Sequence, residues 1–125
     1  YIEDGILKTI VAFLNTDGGI LLIGVNDGGE VTGIDYEVKR LLPNIDKYLL
    51  HFKNIRRSRI GIDCDIYISI KIVELDGKNI LKVECDKSNK DCYLDDEEFY
   101  VRTNPANEKL TGRKLSDYLR ERFKI

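Results

Sequence analysis

The stretch FLNTDGGILLIGVNDGGEVTGI, residues 13–34, places a short apolar run between two glycine-rich acidic loops. The run itself, residues 20–25, is continuously apolar, a pattern typical of a strand that is covered on both faces. The loop before it, DGG at 17–19, can end a helix, because glycine adopts the left-handed conformation without strain. The loop after it, NDGG at 26–29, has a sequence that is typical of tight turns. Residues 30–34 are therefore predicted to return as the partner strand of a hairpin.

Upstream of this stretch, apolar residues recur at the spacing of an amphipathic helix. Asp4 stands where an N-cap is expected, because its carboxylate can accept hydrogen bonds from the free amides of the first turn. The helix is predicted to end near Asn15, just before the two glycines. The apolar positions that define its buried face are Ile6, Leu7, Ile10, Val11 and Leu14.

Downstream, the chain alternates helical and strand patterns. Residues 35–52 show a period near 3.6 that Pro43 interrupts, so either one kinked helix or two shorter helices are predicted. Residues 65–75 then alternate isoleucines with polar residues, which indicates a strand. A turn at 76–79 leads from this strand to a return strand at 80–85, and the two form a second hairpin.

The last predicted elements are a strand over residues 98–102 and a helix that Thr111 caps. The complete order is helix, hairpin, helix, hairpin, strand, helix. Because two hairpins imply antiparallel pairing, we predict an α+β fold with a mixed, largely antiparallel sheet flanked by helices. The 125 residues suffice for one domain over 1–125, and the first residue, Tyr1, indicates a piece of a longer polypeptide.

Composition and cysteine content exclude several classes of protein. A chain that is 42% hydrophobic and 34% charged, with no apolar run near the ~20 residues of a membrane span, predicts a globular protein that does not bind membranes. The odd number of cysteines favours a reducing cytoplasm over a secreted disulfide framework. Cys64 and Cys85 are interpreted as small residues of strand regions. They and Cys92 lack CxxC or HxxxH spacing, so no zinc site is expected.

Charge is segregated along the chain, although the net charge is only −2. Residues 39–59 carry seven bases and one acid, residues 84–98 carry seven acids and two bases, and residues 102–124 carry seven bases and three acids. Two basic segments around an acidic one could form a polar face for a phosphate backbone. The alternative is a set of solvated faces on helices and loops, and charge alone favours that alternative.

Familiar catalytic motifs are missing from the sequence. Neither glycine-rich loop matches a P-loop or dinucleotide-binding pattern, and both precede strands rather than helices. His51 is the single histidine, and no GxSxG or Cys/His pattern accompanies it, so a triad hydrolase is disfavoured. Asp27, beside its turn, is a better candidate for holding a divalent metal or for orienting a ligand. We expect the two loops to bring it together with Asn15, Thr16 and Asp17 at one edge of the sheet.

Two longer blocks carry a family resemblance. The block IVAFLNTDGGILLIGVNDGGEVTGID, residues 10–35, resembles the signature of the Schlafen AlbA-type domain. The block ILKVECDKSNKDCYLDDEEFYVRTNPANEKLTGRKLSDYL, residues 80–119, is similar to that family's strand, loop, YVR strand and final helix. The resemblance implies a mixed sheet flanked by helices and a nucleic-acid-binding module of a transcriptional regulator or a defence protein. It leaves open whether the ligand is DNA or RNA and whether the domain forms a homodimer.

The resemblance and the charge pattern together select the residues expected at a nucleic-acid surface. The candidates for phosphate contacts and closer polar contacts are Lys53, Arg56, Arg57, Arg59, Arg102, Asn104, Asn107, Arg113, Lys114 and Arg120. The candidate loop site consists of Asn15, Thr16, Asp17, Gly18 and Gly19. Each phosphate contact is expected to contribute a salt-dependent share of the affinity.

Some animal members of the family resemble metal-dependent endoribonucleases that act on tRNA and rRNA. Asp27 matches the position of their aspartate, which would hold Mg²⁺ or Mn²⁺ together with two upstream glutamates. Those glutamates would precede Tyr1, so this alternative places most of the catalytic site outside the chain. The zinc motif of those members is not reproduced, because Lys53 stands where a cysteine is expected after His51. A nucleotide-sensing regulatory domain is a third alternative, ranked last because no P-loop is present.

Overall fold

The fold is described by a computed structural model that covers residues 4–36, 38 and 44–125. Its helices and strands are, in chain order, α1 (Asp4–Asn15), β1 (Gly19–Ile23), α2 (Ile45–Arg59), α3 (Ile62–Asp65), β2 (Ile68–Leu75), β3 (Lys78–Cys85), β4 (Phe99–Arg102), β5 (Asn107–Leu110) and α4 (Gly112–Phe123). Asp35, Tyr36 and Val38 are helical as well, and the interruption predicted at Pro43 lies outside the described residues. Among the helices that can be described, none is long and apolar enough to cross a lipid bilayer.

The described strands pair antiparallel in two sheets. In the first sheet β3 lies between β1 and β2, and in the second sheet β4 pairs with β5. Helix α1 packs against β4 and also contacts β1, β3 and β5, so it joins the two sheets. The structure therefore has the predicted α+β class and antiparallel pairing, arranged as two sheets instead of one.

The first strand has a different partner from the one predicted. Across β1, Gly19 lies opposite Cys85 and Ile23 lies opposite Leu81, so β1 pairs with β3. Residues 30–34 form no strand, and the predicted hairpin is reduced to one bridge between Val25 and Val31. The prediction of a return strand at 30–34 was wrong, because the chain leaves the sheet at Gly24, where φ is 106°.

The second predicted hairpin is present. The strands β2 and β3 pair along their whole length, from Ile68 opposite Cys85 to Leu75 opposite Lys78. The two residues between them, Asp76 and Gly77, have φ angles of 52° and 73°. Two consecutive positive φ angles are the signature of the tight turn that suits the natural twist of two strands. The local sequence predicted this hairpin, although β2 begins three residues later and β3 two residues earlier than predicted.

The main hydrophobic core is built on α1. Residues Leu7, Ile10, Val11 and Leu14, which were predicted to form its apolar face, are fully buried together with Leu81 of β3. Deleting a buried leucine side chain of this kind typically costs about 2–5 kcal/mol of stability. The prediction that α1 ends near Asn15 is confirmed, and Gly18 follows with a φ of +77°.

A second, smaller cluster lies between the two-stranded sheet and α4. Its buried members are Phe99 and Val101 of β4 and Leu110 of β5. Helix α4 covers them with one face, as its apolar spacing predicted. The side chains that pack there from α4 are Leu115, Tyr118, Leu119 and Phe123.

The cysteines differ from their predicted roles. Cys64 lies in α3 and forms a disulfide with Cys92, and the two Cα atoms are 6.2 Å apart. The interpretation of Cys64 as a small strand residue was therefore wrong, because the chain brings together two cysteines that are 28 positions apart. Cys85 is a buried residue of β3 with a free thiol, and burial raises its pKa to about 12. Its interpretation as a strand residue is confirmed. The cytoplasmic location stays a prediction.

Candidate nucleic-acid interface

Asn15 fixes the turn that leads from α1 into β1. It is fully buried, and its amide group donates hydrogen bonds to the carbonyl oxygens of Cys92 at 2.8 Å and Tyr100 at 3.0 Å. Its Oδ1 accepts a hydrogen bond of 2.9 Å from the N–H of Cys92. Its own carbonyl oxygen accepts a hydrogen bond of 2.6 Å from the Tyr118 hydroxyl. Asn15 is thus a buried support of the predicted loop site and does not reach its surface.

Thr16 and Gly18 attach the same turn to its neighbours. The Thr16 hydroxyl accepts a hydrogen bond of 2.9 Å from the main-chain N–H of Arg102. At Gly18, a Cβ atom would lie 2.5 Å from the carbonyl oxygen of Cys85, which is too close for any side chain. The glycine is therefore required by close packing against the end of β3 as well as by its positive φ.

The Arg102 side chain is held in a defined orientation at the end of β4. Its Nε donates a hydrogen bond of 3.2 Å to Oδ1 of Asn104, and its Nη1 donates one of 2.8 Å to Oδ1 of Asn107. The guanidinium carbon lies 5.3 Å from the centre of the Phe13 ring, within the range of a cation–π contact. Asn107 is held in turn by donating a hydrogen bond of 2.8 Å to the Thr9 hydroxyl.

These elements enclose a cavity that we call the Arg102 pocket. Its volume is about 280 Å³, and the α1–β1 turn, the end of β4 and the β4–β5 turn form its walls. The residues that line it are Phe13, Thr16, Asp17, Gly18, Gly19, Ile20, Arg102 and Asn104. The pocket brings most of the predicted loop site together with Arg102 and Asn104, two of the residues predicted to contact nucleic acid.

The Arg102 pocket offers both donors and an acceptor. Within the described residues, the hydrogen bonds of Arg102 leave the second Nη1–H and both Nη2–H groups for a ligand. The carboxylate of Asp17 supplies the acceptor, and its side chain is 85% exposed. Lys87 lies beside it with an Nζ–Oδ1 distance of 3.9 Å, the outer limit of an ion pair. A ligand with adjacent acceptors and donors would find complementary groups in this pocket.

Asp27 lies away from the pocket. Its loop follows β1, whereas the pocket lies before β1, and a five-residue strand spans about 14 Å. Asn26 organises the loop internally, because its Oδ1 accepts hydrogen bonds from the N–H groups of Gly28 and Glu30. The expected convergence of Asp27 with Asn15, Thr16 and Asp17 was therefore wrong. The two loops lie at opposite ends of one strand.

The described residues do not form a metal centre around Asp27. In residues 4–36, 38 and 44–125, no group of three or more His, Cys, Asp or Glu side chains is placed to hold a metal ion. Asp27 itself is exposed. The side chains in the described part of the chain thus do not fit a Mg²⁺ or Mn²⁺ site of several carboxylates.

One of the predicted basic surface residues of helix α2 is buried in the structure. Arg56 is 4% exposed, and its Nε donates a hydrogen bond of 2.9 Å to Oδ1 of Asp65. Its guanidinium also lies 5.0 Å from the centre of the Phe52 ring. Arg57 lies 3.5 Å from the other oxygen of Asp65 and remains 45% exposed. Arg56 is thus a buried structural cation and cannot contact a phosphate at the surface in this structure.

Arg59 is engaged by two carboxylates. Its guanidinium donates hydrogen bonds to Asp95, at 2.7 Å for the shorter one, and to Asp4. The hydrogen bond to Asp95 is the main reason that the pKa of Arg59 is raised, and the same contact lowers the pKa of Asp95. The arginine therefore ties the start of α1 to the acidic loop before β4.

The other predicted cations lie on exposed surface. Lys53 on α2 and Arg113 and Lys114 at the start of α4 are exposed. Arg120 is exposed too, and its Nη1 lies 3.0 Å from a carboxylate oxygen of Asp117 one turn earlier. These side chains lie on separate helices and do not line the Arg102 pocket.

A larger cavity of about 470 Å³ lies at the end of α2. Arg57, Arg59 and Lys90 line it, but so do Asp63, Asp91 and Asp96. Lys90 already lies 3.3 Å from Asp63. Because the charges of its walls balance one another, this cavity is a weaker site for a polyanion than its size suggests.

Sequence reasoning missed Phe13 and Ile20 as walls of the pocket. Phe13 is next to the apolar face of α1, and helical spacing does not distinguish a pocket wall from a core residue. The glycine pair supplied the available signal, because a Cβ at Gly19 would lie 2.9 Å from the Phe13 ring. A glycine that follows an aromatic residue closely can mark such packing, but only coordinates identify the partner.

The chain matches a family model in sequence and a solved structure in fold. The family model described as Schlafen, AlbA_2 matches residues 1–111. The crystal structure of the DIP2311 protein from Corynebacterium diphtheriae has a TM-score of 0.66 at 16% identity, and the match covers 95% of this chain but only 22% of that protein. The N-terminal domain of a RecG-related protein from Nitrosomonas europaea has a TM-score of 0.47 at 22% identity, covering 90% of this chain and 67% of that domain. No curated protein is significantly similar in sequence.

Proposed function

The chain belongs to the Schlafen AlbA_2 family, and we propose that it is a nucleic-acid-binding module whose central contact is the Arg102 pocket. One observation carries this proposal. Residues 16–19 of the loop site and the nucleic-acid candidates Arg102 and Asn104 were selected separately from the sequence, yet they line one cavity. Their convergence supports a shared ligand better than a shared structural role, because Asp17 and Asn104 stay exposed at its rim.

The chemistry of Arg102 favours a nucleic-acid ligand. A guanidinium is a planar fork of donors that matches phosphate oxygens or the acceptors of a base edge. Two asparagines and an aromatic ring hold this fork, so little side-chain freedom is lost when a ligand binds. A nucleotide-sensing role through a P-loop has no support in the sequence, and the Arg102 pocket is lined by turns rather than by a helix N-terminus.

The electrostatics predict a short contact with nucleic acid. The net charge is −2, and Arg56 and Arg59 are already paired with carboxylates. Lys53, Arg113 and Lys114, which are exposed, would add peripheral phosphate contacts. A module with few such contacts has an affinity that depends only weakly on salt. The logarithm of the binding constant falls against the logarithm of the salt concentration with a slope of about −1 for each phosphate neutralised.

The experiment is a binding titration with labelled single-stranded RNA, single-stranded DNA and duplex DNA over a range of salt concentrations. Arg102→Gln should weaken binding about tenfold and reduce the salt slope by about 1. The matched control is Lys71→Gln, at an exposed position of β2 away from the pocket, and it should bind like the unsubstituted protein. If none of the three nucleic acids binds at low salt, the proposal is wrong. Intact ligand after incubation with Mg²⁺ or Mn²⁺ separates binding from the endoribonuclease alternative.

A further inference from the structure

We infer that the Arg102 pocket recognises one unpaired guanine base. The inference rests on the proposed function for the source of that base, a single-stranded nucleic acid, and adds the identity of the group that enters the pocket. It follows from the donors of Arg102, the acceptor of Asp17 and the two glycines that line the same pocket.

The donor side of the pocket matches one edge of guanine. The N7 and O6 atoms of guanine are adjacent acceptors, and an arginine fork that donates to both is the commonest specific contact to this base. The unused Nη groups of Arg102 are such a fork, because Asn104 and Asn107 occupy only its Nε–H and one Nη1–H. The hydrogen bonds to the two asparagines hold the guanidinium of a residue that lines the cavity.

The acceptor side matches the neighbouring edge of the same base. Guanine carries two adjacent donors, N1–H and the N2 amino group, and the carboxylate of Asp17 can accept from both. Adenine presents an unprotonated N1 there, which a carboxylate repels. Cytosine and uracil lack the N7 acceptor that Arg102 would contact. Of the four bases, guanine alone satisfies both sides of the pocket.

Two glycines of the pocket lining, Gly18 and Gly19, let a flat ring approach the backbone. A side chain at Gly18 would collide with Cys85 O, and a side chain at Gly19 would collide with the Phe13 ring, so both positions present bare backbone. The base must be unpaired, because pairing in a duplex occupies the N1 and N2 donors that Asp17 requires. Lys87, 56% exposed and next to Asp17, can meet the phosphate of the same nucleotide.

The experiment measures the affinity of the unsubstituted protein for short single-stranded oligonucleotides that differ at one base. Guanine is compared with adenine, with inosine, which lacks the N2 amino group, and with 7-deazaguanine, which lacks N7. The oligonucleotide with guanine should bind about tenfold more tightly than the one with adenine, and several-fold more tightly than the oligonucleotide with either analogue. Because the modified bases probe the unsubstituted protein, the result does not depend on whether a variant folds.

Variants then assign each edge of the base. Asp17→Asn should abolish the preference for guanine over inosine, and Arg102→Met, which removes every donor of the side chain, should abolish the preference for guanine over 7-deazaguanine. Asp76→Asn, in the exposed β2–β3 turn, is the control for removing a carboxylate and should keep both preferences.

The outcomes separate the inference from the proposed function. If oligonucleotides bind without a preference for guanine, the inference is wrong and the binding module stands. If no oligonucleotide binds at low salt but guanosine monophosphate does, the pocket recognises the free nucleotide, so the guanine site stands and the binding module is wrong. If neither class of ligand binds, both are wrong.

Discussion

The main-chain N–H of Arg102 donates a hydrogen bond of 2.9 Å to the hydroxyl of Thr16. The two residues are 86 positions apart in the chain, yet this bond fixes the α1–β1 turn to the end of β4. The same β4 residue extends its guanidinium over Phe13 of α1. This hydrogen bond thus joins two walls of the Arg102 pocket, the α1–β1 turn and the end of β4.

Thr16→Val should weaken oligonucleotide binding by several-fold while lowering stability by only about 1 kcal/mol. Valine has nearly the same shape, but it leaves the N–H of Arg102 without its acceptor and loosens the wall of the pocket. Affinity from anisotropy and stability from urea unfolding should be measured on the same preparation. Thr16→Ser keeps the hydroxyl and should retain binding; equal losses in both variants would mean that the hydroxyl is not what holds the pocket.

Asn15→Asp should destabilise the domain by about 3 kcal/mol or more. The substitution replaces an amide donor with a carboxylate oxygen that faces the carbonyl oxygens of Cys92 and Tyr100 in a fully buried position. Urea unfolding measures the loss. Asp17→Asn is the control, because the same chemical difference at an exposed site should change stability by less than about 0.5 kcal/mol. A stable Asn15→Asp variant would show that the turn does not need the amide.

Reduction of the Cys64–Cys92 disulfide should lower the free energy of unfolding by about 3–4 kcal/mol. The bond closes a loop of 28 residues, and the chain-entropy model gives that magnitude for a loop of this length. Unfolding curves with and without reductant test this directly. The Cys64→Ala/Cys92→Ala double variant should unfold at the same urea concentration under both conditions, and a reductant effect that survives in it would point to another origin.

Stability should fall as the pH rises from about 9 to about 12. The pKa of the Cys85 thiol is raised from 9.0 to about 12 by burial, so the protonated thiol stabilises the fold below pH 9 and this contribution is lost as the pH approaches the folded value. Tyr100 acts in the same direction above pH 10, because burial and its hydrogen bond to Glu98 raise its pKa to about 12. Unfolding free energies across this range should decline less steeply for Cys85→Ala, and parallel curves would contradict the assignment.

Asp27→Asn should leave oligonucleotide affinity unchanged within about twofold, because Asp27 lies at the opposite end of β1 from the Arg102 pocket. Titrations with and without Mg²⁺ should give the same answer, since the described residues supply no cluster of metal ligands. A large loss of affinity, or metal-dependent cleavage that the substitution abolishes, would instead favour the endoribonuclease alternative.

Much of the local structure could be read from the sequence. A few neighbouring residues are enough to predict each of three features: the apolar face of α1, the end of this helix before Gly18, and the hairpin at Asp76-Gly77. The signals are strong because helical and strand periods differ, and because positive φ angles select glycine. The first block that carries the family resemblance lies within the matched residues 1–111, and the second block, which begins at residue 80, lies within them up to residue 111.

The tertiary structure decided which of these elements meet. It gave β1 the partner β3 instead of residues 30–34, it buried Arg56 against Asp65, and it joined Cys64 to Cys92. It also placed Arg102 beside Thr16 and Asp17, and set Asp27 at the far end of the strand. Strand partners, ion pairs and pocket walls depend on contacts between distant parts of the chain. The local pattern of residues predicts an element and its exposed face, but it does not predict which other element packs against it.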